Sequence, residues 1–387
     1  VCVCVCVCVC VCVCVCVCQG EHAPMFHDKY RPRNLDELDI HPHLTERLRR
    51  LAHSEEFPHL LFYGPSGAGK QTRITAMLQE LFGSGVTKIK AENKTFRKPS
   101  GAPFELCTLS SNYHFEVKPS DVGLYDRIVV RDMIKEIAQS APIPTLGSSS
   151  GASGSNAGCS ANYFKVIVLR EVDSLTREAQ QALRRTMEKY MSTCRLILCC
   201  ESISKLLEPL RSRCLPIRVA SPDDEQVAKV LRAVAKREKL QLPENMCKKL
   251  VEAARGNLRV ALLMFETSRV QRYPFVDTQI VEKPHWESFI EGIADDCLRE
   301  QSPKQVLEVR NKLYELIVNC IPPSVILTTL VSALLSRVQN ESLQRSITKY
   351  SSHFEHRLHL GNKWIFHLEA FVARFMSLYK LHTLAQR

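Results

Sequence analysis

Short apolar runs alternate with helical patterns from residue 25 to about residue 219. The runs are bounded by polar or glycine-containing segments, which is typical of buried strands. Four of them predict strands, at residues 60–63, 104–110, 164–169 and 196–200. Because strands that alternate with helices form parallel sheets with helices on both faces, the pattern predicts an α/β domain over residues 25–219.

The remainder of the chain has a helical pattern. Apolar residues recur at helical spacing from residue 221, first in a small cluster that ends near Arg272. A second and longer helical run begins after Pro274 and Pro284 and continues to the C-terminus. We therefore expect two all-α domains, a small one over residues 220–278 and a larger one over residues 285–387.

Two segments do not fit this organisation. Residues 1–18 alternate Val and Cys without exception, which is the pattern that a translated GT microsatellite gives. The tract is apolar enough to suggest a membrane span, but it lacks flanking basic residues. We therefore predict that residues 1–24 are a non-structural leader, that Met25 is the start of the folded protein, and that the protein has no membrane association. Residues 141–162 are rich in Ser, Gly, Ala and Asn and predict a flexible insertion.

A phosphate-binding motif follows the first predicted strand. The segment Gly64-Pro65-Ser66-Gly67-Ala68-Gly69-Lys70 fits the pattern G-x-x-x-x-G-K and precedes an amphipathic stretch from Thr72 to Phe82. Its glycines let backbone N–H groups face phosphates, while the helix N-terminus and Lys70 supply positive potential. A glycine-rich turn that merely opens a helix leaves Lys70 unexplained. The sequence therefore predicts nucleotide binding.

The positions that normally hold Mg²⁺ have changed. Gln71 stands where a Ser or Thr hydroxyl usually binds the metal, and Arg170 stands where an Asp normally orients it. A fixed cation at Arg170 repels Mg²⁺, although Glu171 remains and is able to polarise water. We expect Mg²⁺ to be weakly bound or absent at this site, and hydrolysis to be at or near background.

Net charge indicates the kind of partner, and cysteine content indicates the cellular compartment. The net charge of +11 and the pI near 8.9 favour a polyanionic partner. The cysteines outside the tract contain no C-x-x-C pair, which predicts buried or inert thiols in a reducing compartment and no zinc site. His353, His356 and His359 recur on a pattern typical of a solvated helix face, so we predict no metal ligand there.

Several motifs together resemble the small subunits of replication factor C, AAA+ proteins that open a ring-shaped sliding clamp and place it on primed DNA. The resemblance extends from about Phe26 to Lys380. The motifs are DKYRP at residues 28–32, PHLL at 58–61, SNYHFEV at 111–117, ALRRTMEKY at 182–190, GNLR at 256–259 and GNK at 361–363.

The resemblance implies an AAA+ domain over residues 25–219, a helical lid over 220–278 and a collar over 285–387 that packs against sister subunits. It places residues 30–32 near the adenine and Arg259 near the phosphates of a bound ATP or ADP. The implied nucleotide-binding residues are Tyr30, Arg31, Pro32, Gly64, Pro65, Ser66, Gly67, Ala68, Gly69, Lys70, Gln71, Thr72 and Arg259. Acidic Glu201 stands where a neutral residue usually contacts the γ-phosphate, and related subunits occupy a ring position whose own site is expected not to hydrolyse ATP.

The resemblance also implies a contribution to a neighbouring site. In the segment Ser212-Arg213-Cys214, Arg213 is expected to enter the ATP site of the adjacent subunit, although an ordinary surface cation fits the residues alone equally well. Arg184 and Arg185 either face DNA phosphates or pair with Glu178 and Glu188. The implied partners are the other subunits of a nuclear heteropentamer, the sliding clamp and primer–template DNA, in replication and repair.

Two other functions compete with this one. An autonomous AAA+ DNA motor or helicase needs chemically competent residues at positions 71, 170 and 201, which this chain lacks. A helical scaffold with a relic phosphate loop does not explain why Lys70 and Arg259 are present. The sequence favours a non-hydrolysing subunit that acts catalytically in trans.

Overall fold

The computed structural model describes residues 24–54, 57–97, 103–139, 164–191, 193–276, 279–361 and 363–385. These residues divide into two compact units, one up to Val281 and one from Glu282 onward. The predicted insertion at residues 141–162 lies outside the described residues, as does the leader at residues 1–24 apart from Pro24.

A seven-stranded sheet forms the centre of the first unit. Its strands are β1 Leu60–Tyr63, β2 Lys90–Arg97, β3 Pro103–Ser110, β4 His114–Val117, β5 Lys165–Leu169, β6 Cys194–Cys200 and β7 Leu215–Arg218. The strand order is β2-β3-β4-β5-β6-β1-β7. Neighbouring strands from β4 to β7 are parallel, while β2 pairs antiparallel with β3 and β3 pairs antiparallel with β4.

The four predicted strands correspond to β1, β3, β5 and β6, and the predicted parallel sheet is present from β4 to β7. The antiparallel pair at the sheet edge was not predicted. Most side chains of β2 are exposed, so its sequence carries no apolar alternation that would indicate a strand. The strands β4 and β7 contain four residues each, which is too short for a pattern to be distinguished.

Helices cover both faces of the sheet. They are α1 Phe26–Lys29, α2 Pro42–Ala52, α3 Lys70–Phe82, α4 Asp126–Gln139, α5 Arg177–Lys189 and α6 Glu208–Arg211. The amphipathic stretch predicted from Thr72 is α3, whose apolar stripe of Ile74, Met77 and Leu78 is buried against one face. Helices α4 and α5 pack on the opposite face. Each fully buried aliphatic side chain of this kind contributes roughly 1.5–3 kcal/mol.

Three further helices complete the first unit, namely α7 Asp224–Arg237, α8 Glu244–Ala254 and α9 Leu258–Gln271. They enclose a core that contains Leu231, Leu250 and Phe265. Phe26 of α1 joins this core, with its ring centroid 5.8 Å from that of Phe265. The N-terminal helix is therefore part of the helical cluster rather than of the sheet.

The second unit is a bundle of α10 His285–Arg299, α11 Pro303–Val318, α12 Pro323–Arg337, α13 Glu341–Leu360 and α14 Trp364–Ala385. Its core contains Ile290, Leu313, Leu330 and Phe371, which are almost completely buried. In the part of the chain that the structure describes, none of the helices is both long and apolar enough to span a bilayer.

Candidate nucleotide site

The loop between β1 and α3 has the backbone of an anion-binding site. Gly64, Gly67 and Gly69 have φ angles of +151°, +74° and +86°, a region that side-chain-bearing residues rarely adopt. A Cβ at Gly64 would lie 1.9 Å from the carbonyl oxygen of Val219, so the loop passes directly over the end of β7. This conformation leaves the first N–H groups of α3 available to a phosphate.

Two side chains add polar groups to this loop. Lys70 begins α3, and its Nζ donates to the carbonyl oxygens of Gly64 and Pro65 at 2.6 and 2.9 Å. Arg31 donates from Nε to the hydroxyl of Thr72 at 3.3 Å. Burial lowers the pKa of Arg31, and the neighbouring cations Arg170 and Arg259 lower it further. Several cationic side chains therefore lie near the loop, and its residues fit the phosphates of a nucleotide.

A single buried carboxylate connects the two altered metal positions. Glu116 lies on β4 with 6% of its surface exposed. It forms an ion pair with Nε of Arg170, which follows β5, and it accepts a hydrogen bond from Nε2 of Gln71 in the first turn of α3. Because a cation and an amide already contact Oε1 of this carboxylate, the arrangement does not fit a bound Mg²⁺. Glu116 was not predicted, although an acidic residue inside an apolar strand was an available signal.

Glu171, the acidic residue that follows Arg170, is also paired. Glu171 has a left-handed backbone with φ of 51°. Its carboxylate lies 3.1 Å from Nζ of Lys118 and 3.4 Å from the hydroxyl of Ser120. Burial lowers the pKa of Lys118, but hydrogen bonds to Glu171 and Asp121 outweigh this and raise it. Lys118 therefore remains charged and neutralises the group that would polarise water.

The start of α9 lies against the phosphate loop. Asn257 caps the helix by accepting from the N–H of Val260 at 3.2 Å, and a Cβ at Gly67 would lie 1.8 Å from its Oδ1. Arg259, the second residue of α9, is exposed. The structure thus brings the helical cluster, Arg259 and the loop to one place.

The N-terminal motif, residues 28–32, contacts two different parts of the first unit. Tyr30 donates its hydroxyl hydrogen to Glu238 of the helical cluster, and Lys29 donates to the same carboxylate at 2.5 Å. Arg31, the next residue, contacts Thr72 of α3 instead. Pro32 is half-buried. The motif therefore joins the helical cluster to the phosphate loop, and its role at the adenine remains a prediction.

The arginine predicted to act in trans, Arg213, is held by contacts within its own chain. Nη1 of Arg213 donates to the carbonyl of Pro209 at 2.8 Å, and Nη2 lies 2.6 Å from Oε1 of Glu188 on α5. Its guanidinium is about one-third exposed, and Cys214 next to it is buried. Arg213 thus projects from a firmly anchored backbone.

Arg184 and Arg185 line a groove of about 480 Å³ between α5 and α6. Nε of Arg184 lies 3.4 Å from Glu188, so one of the two expected ion pairs is present. Glu178 instead pairs with Arg127 at 3.0 Å.

The other predicted groups have simple environments. Glu201 is exposed directly after β6. Burial raises the pKa of Cys199 and Cys200 to about 11 and about 12, which makes these thiols inert. Cys107 and Cys320 are exposed, and Cys159 lies outside the described residues. Across the described ranges, groups of His, Cys, Asp and Glu that would hold a metal are absent.

The sheet order, the phosphate loop and the helical cluster beside it define a P-loop nucleotide-binding domain of the AAA+ class. Three family models agree with this class. Residues 60–221 match the ATPase family associated with various cellular activities, and residues 229–270 match the RCF1/5-like AAA+ ATPase lid domain. Residues 286–383 match the C-terminal domain of replication factor C subunit 3.

Curated relatives extend the match to nearly the whole chain. Replication factor C subunit 3 of Arabidopsis thaliana is 47% identical over 356 residues, which cover 91% of this chain and 97% of the relative. Replication factor C subunit 3 of Homo sapiens is 49% identical over 353 residues, covering 91% and 95%. Replication factor C subunit 5 of Schizosaccharomyces pombe is 43% identical over 358 residues, covering 92% and 96%. The chain belongs to the replication factor C small subunits.

Proposed function

We propose that this chain holds ATP or ADP without appreciable hydrolysis, as one subunit of a nuclear, heteropentameric replication factor C clamp loader. This complex opens a sliding clamp and places it on primer–template DNA during replication and repair. The observation that carries the proposal is the ion pair between Glu116 and Arg170, which Gln71 completes. Gln71 and Arg170 occupy the positions from which Mg²⁺ would otherwise be held, and Glu116 contacts both.

Catalysis of phosphoryl transfer depends almost entirely on positioning and charge neutralisation. Arg170 excludes the metal that would provide both, and Lys118 pairs with the carboxylate of Glu171. Binding does not need the metal or a free Glu171 carboxylate, because the loop N–H groups and Lys70 are still available to the phosphates. The site is therefore suited to retain a nucleotide and poorly suited to cleave it. An autonomous motor is disfavoured for the same reason.

The second unit supports assembly with sister subunits. It exposes large apolar side chains on α11 and at the α13–α14 junction, namely Leu307, Tyr314, Val318, Leu360, Trp364 and Phe366. Exposed large apolar side chains are available for protein–protein contacts. Arg184 and Arg185 provide exposed cations for DNA phosphates on the first unit.

The Mg²⁺ dependence of nucleotide binding tests the proposed effect of the Glu116–Arg170 ion pair. We expect the Kd of the isolated chain for ADP to differ by less than about threefold between Mg²⁺ and EDTA buffers, and Lys70→Ala to abolish binding in both. A loss of affinity of about tenfold or more in EDTA, equivalent to about 1.4 kcal/mol, would contradict the proposal.

Substitutions of Arg213 test its proposed contribution to the ATP site of the neighbouring subunit. We expect Arg213→Ala to leave the subunit's own nucleotide affinity unchanged while it lowers the DNA- and clamp-stimulated ATPase of the reconstituted complex. Arg213→Lys should fail nearly as badly, because an ammonium lacks the planar fork that bridges two phosphate oxygens. If the substitution weakens the subunit's own nucleotide binding and spares the complex, Arg213 acts in cis and the assignment is wrong.

A further inference from the structure

One carboxylate oxygen serves two arginines on the α5–α6 surface. Oε1 of Glu188 lies 2.6 Å from Nη2 of Arg213 and 3.4 Å from Nε of Arg184. Desolvation opposes ionisation of this carboxyl, but hydrogen bonds from Arg184 and Arg213 lower its pKa below the ordinary value. Glu188 is therefore a charged acceptor that the two guanidinium groups share.

This cluster contributes little to folding. The side chains of Arg213 and Glu188 are 33% and 47% exposed, and surface ion pairs of this kind stabilise a protein only weakly. Its consequence is geometric, because Arg213 is fixed at both terminal nitrogens. Nη2 is held by Glu188 of α5, and Nη1 is held by the carbonyl of Pro209 in α6. The guanidinium plane is thereby set, while Nε–H and the remaining Nη hydrogens stay available to phosphate oxygens.

We propose that Glu188 is a positioning residue that orients Arg213 for the neighbouring nucleotide and connects it to Arg184. The inference rests on the proposed function of Arg213 in trans. A preorganised guanidinium needs no rearrangement as charge builds on the γ-phosphate. When a DNA phosphate engages Arg184, Glu188 loses its second partner and holds Arg213 alone. The carboxylate thus transmits the binding of DNA to the arginine that serves the neighbouring site.

The test uses reconstituted complexes that carry Glu188→Gln, with Glu178→Gln on the same helix as the matched control. We expect Glu188→Gln to lower the DNA-stimulated kcat by roughly three- to tenfold, less than the ~100-fold that a misplacement of about 1 Å costs, because Gln still accepts a hydrogen bond. The KM for ATP and the melting temperature of the isolated subunit should stay unchanged. Glu178→Gln should behave as the wild type.

Two combinations separate this inference from the proposed function. Adding Glu188→Gln to Arg213→Ala should lower kcat no further, and Arg184→Ala should reduce DNA stimulation non-additively with Glu188→Gln. If Arg213→Ala is active, the trans assignment fails and this inference fails with it. If Arg213→Ala is defective while Glu188→Gln alone has no effect on kcat, the positioning role alone is overturned. The same holds if Glu188→Gln lowers the kcat of the Arg213→Ala complex further.

Discussion

At the scale of single residues, Glu116 explains why two unusual residues of the phosphate site belong together. A buried carboxylate is unstable without partners, and Gln71 and Arg170 provide them. A change at either position alone therefore leaves Glu116 incompletely satisfied. The arrangement around Glu116 is thus a property of three contacting residues and not of one substitution.

A double substitution should restore a response to Mg²⁺. In Arg170→Asp combined with Gln71→Thr, the repelling cation is gone, and two carboxylates and a hydroxyl become available to the metal. We expect nucleotide affinity in Mg²⁺ to exceed that in EDTA by about tenfold or more, equivalent to about 1.4 kcal/mol, by calorimetric titration. Arg170→Ala alone is the control and should show no such gain. An unchanged Mg²⁺ response in the double variant would contradict the role assigned to Arg170.

A buried histidine makes stability depend on pH. His59 is 5% exposed, and its Nδ1 accepts from the N–H of Leu196 at 3.0 Å. Burial, together with Arg195, lowers the pKa of His59 to about 4. The folded state therefore keeps His59 neutral, while the unfolded state takes up a proton once the pH falls below about 6.5. The stability contribution is complete above that pH and is lost progressively toward pH 4.

Between pH 7.5 and 5, His59 should cost about 2 kcal/mol of unfolding free energy. His59→Asn keeps an acceptor for Leu196 but does not titrate, so its stability should fall less steeply over this range. Urea unfolding of the isolated chain at several pH values measures the slope. An equal slope in both proteins would show that His59 is not responsible.

Residue-level prediction was possible where the signal was local. The phosphate loop, Lys70, Gln71, Arg170 and Arg259 could be named because each belongs to a short motif. Glu116, Lys118 and Glu188 were not assigned a role at the site. Their roles depend on contacts with residues distant in sequence, such as the pairing of Lys118 with Glu171.

At the scale of elements, the contact between α9 and the phosphate loop depends on two residues, Gly67 and Asn257. Gly67 allows Asn257 to approach, and Asn257 in turn caps α9. Both the loop and α9 depend on a small or polar residue, and a pattern of apolar positions does not reveal the role of such residues. The same limit applies to β2, which is a strand only because β3 pairs with it.

Two glycine substitutions should differ in cost. Gly67→Ala and Gly69→Ala both place a Cβ on a backbone with positive φ, at roughly 1–2 kcal/mol each. Only Gly67→Ala also meets Asn257, because a Cβ at Gly69 has no neighbouring atom within 4 Å. We expect Gly67→Ala to be the less stable by about 1–3 kcal/mol and to bind nucleotide more weakly.

Thermal melting and nucleotide titration of both variants measure this difference. Asn257→Ser should relieve part of the Gly67→Ala defect, since Ser is shorter and still caps a helix. Equal stability of the two glycine variants would mean that α9 does not constrain the loop.

At the scale of the whole molecule, the two units differ in the functional features that they contain. The first unit contains the nucleotide site and Arg213, whereas the second is an all-helical bundle with exposed apolar side chains. The helical character of the second unit followed from periodicity alone. Its partners could not be predicted in the same way, because an apolar face does not specify what covers it.

The most direct test of the central claim is ATP turnover by the purified isolated chain, measured together with its bound nucleotide. We predict that the chain retains adenine nucleotide, that its turnover is at background, and that Lys70→Ala removes the nucleotide without changing that turnover. Measurable turnover that Lys70→Ala abolishes would show that this site hydrolyses ATP and would contradict the account.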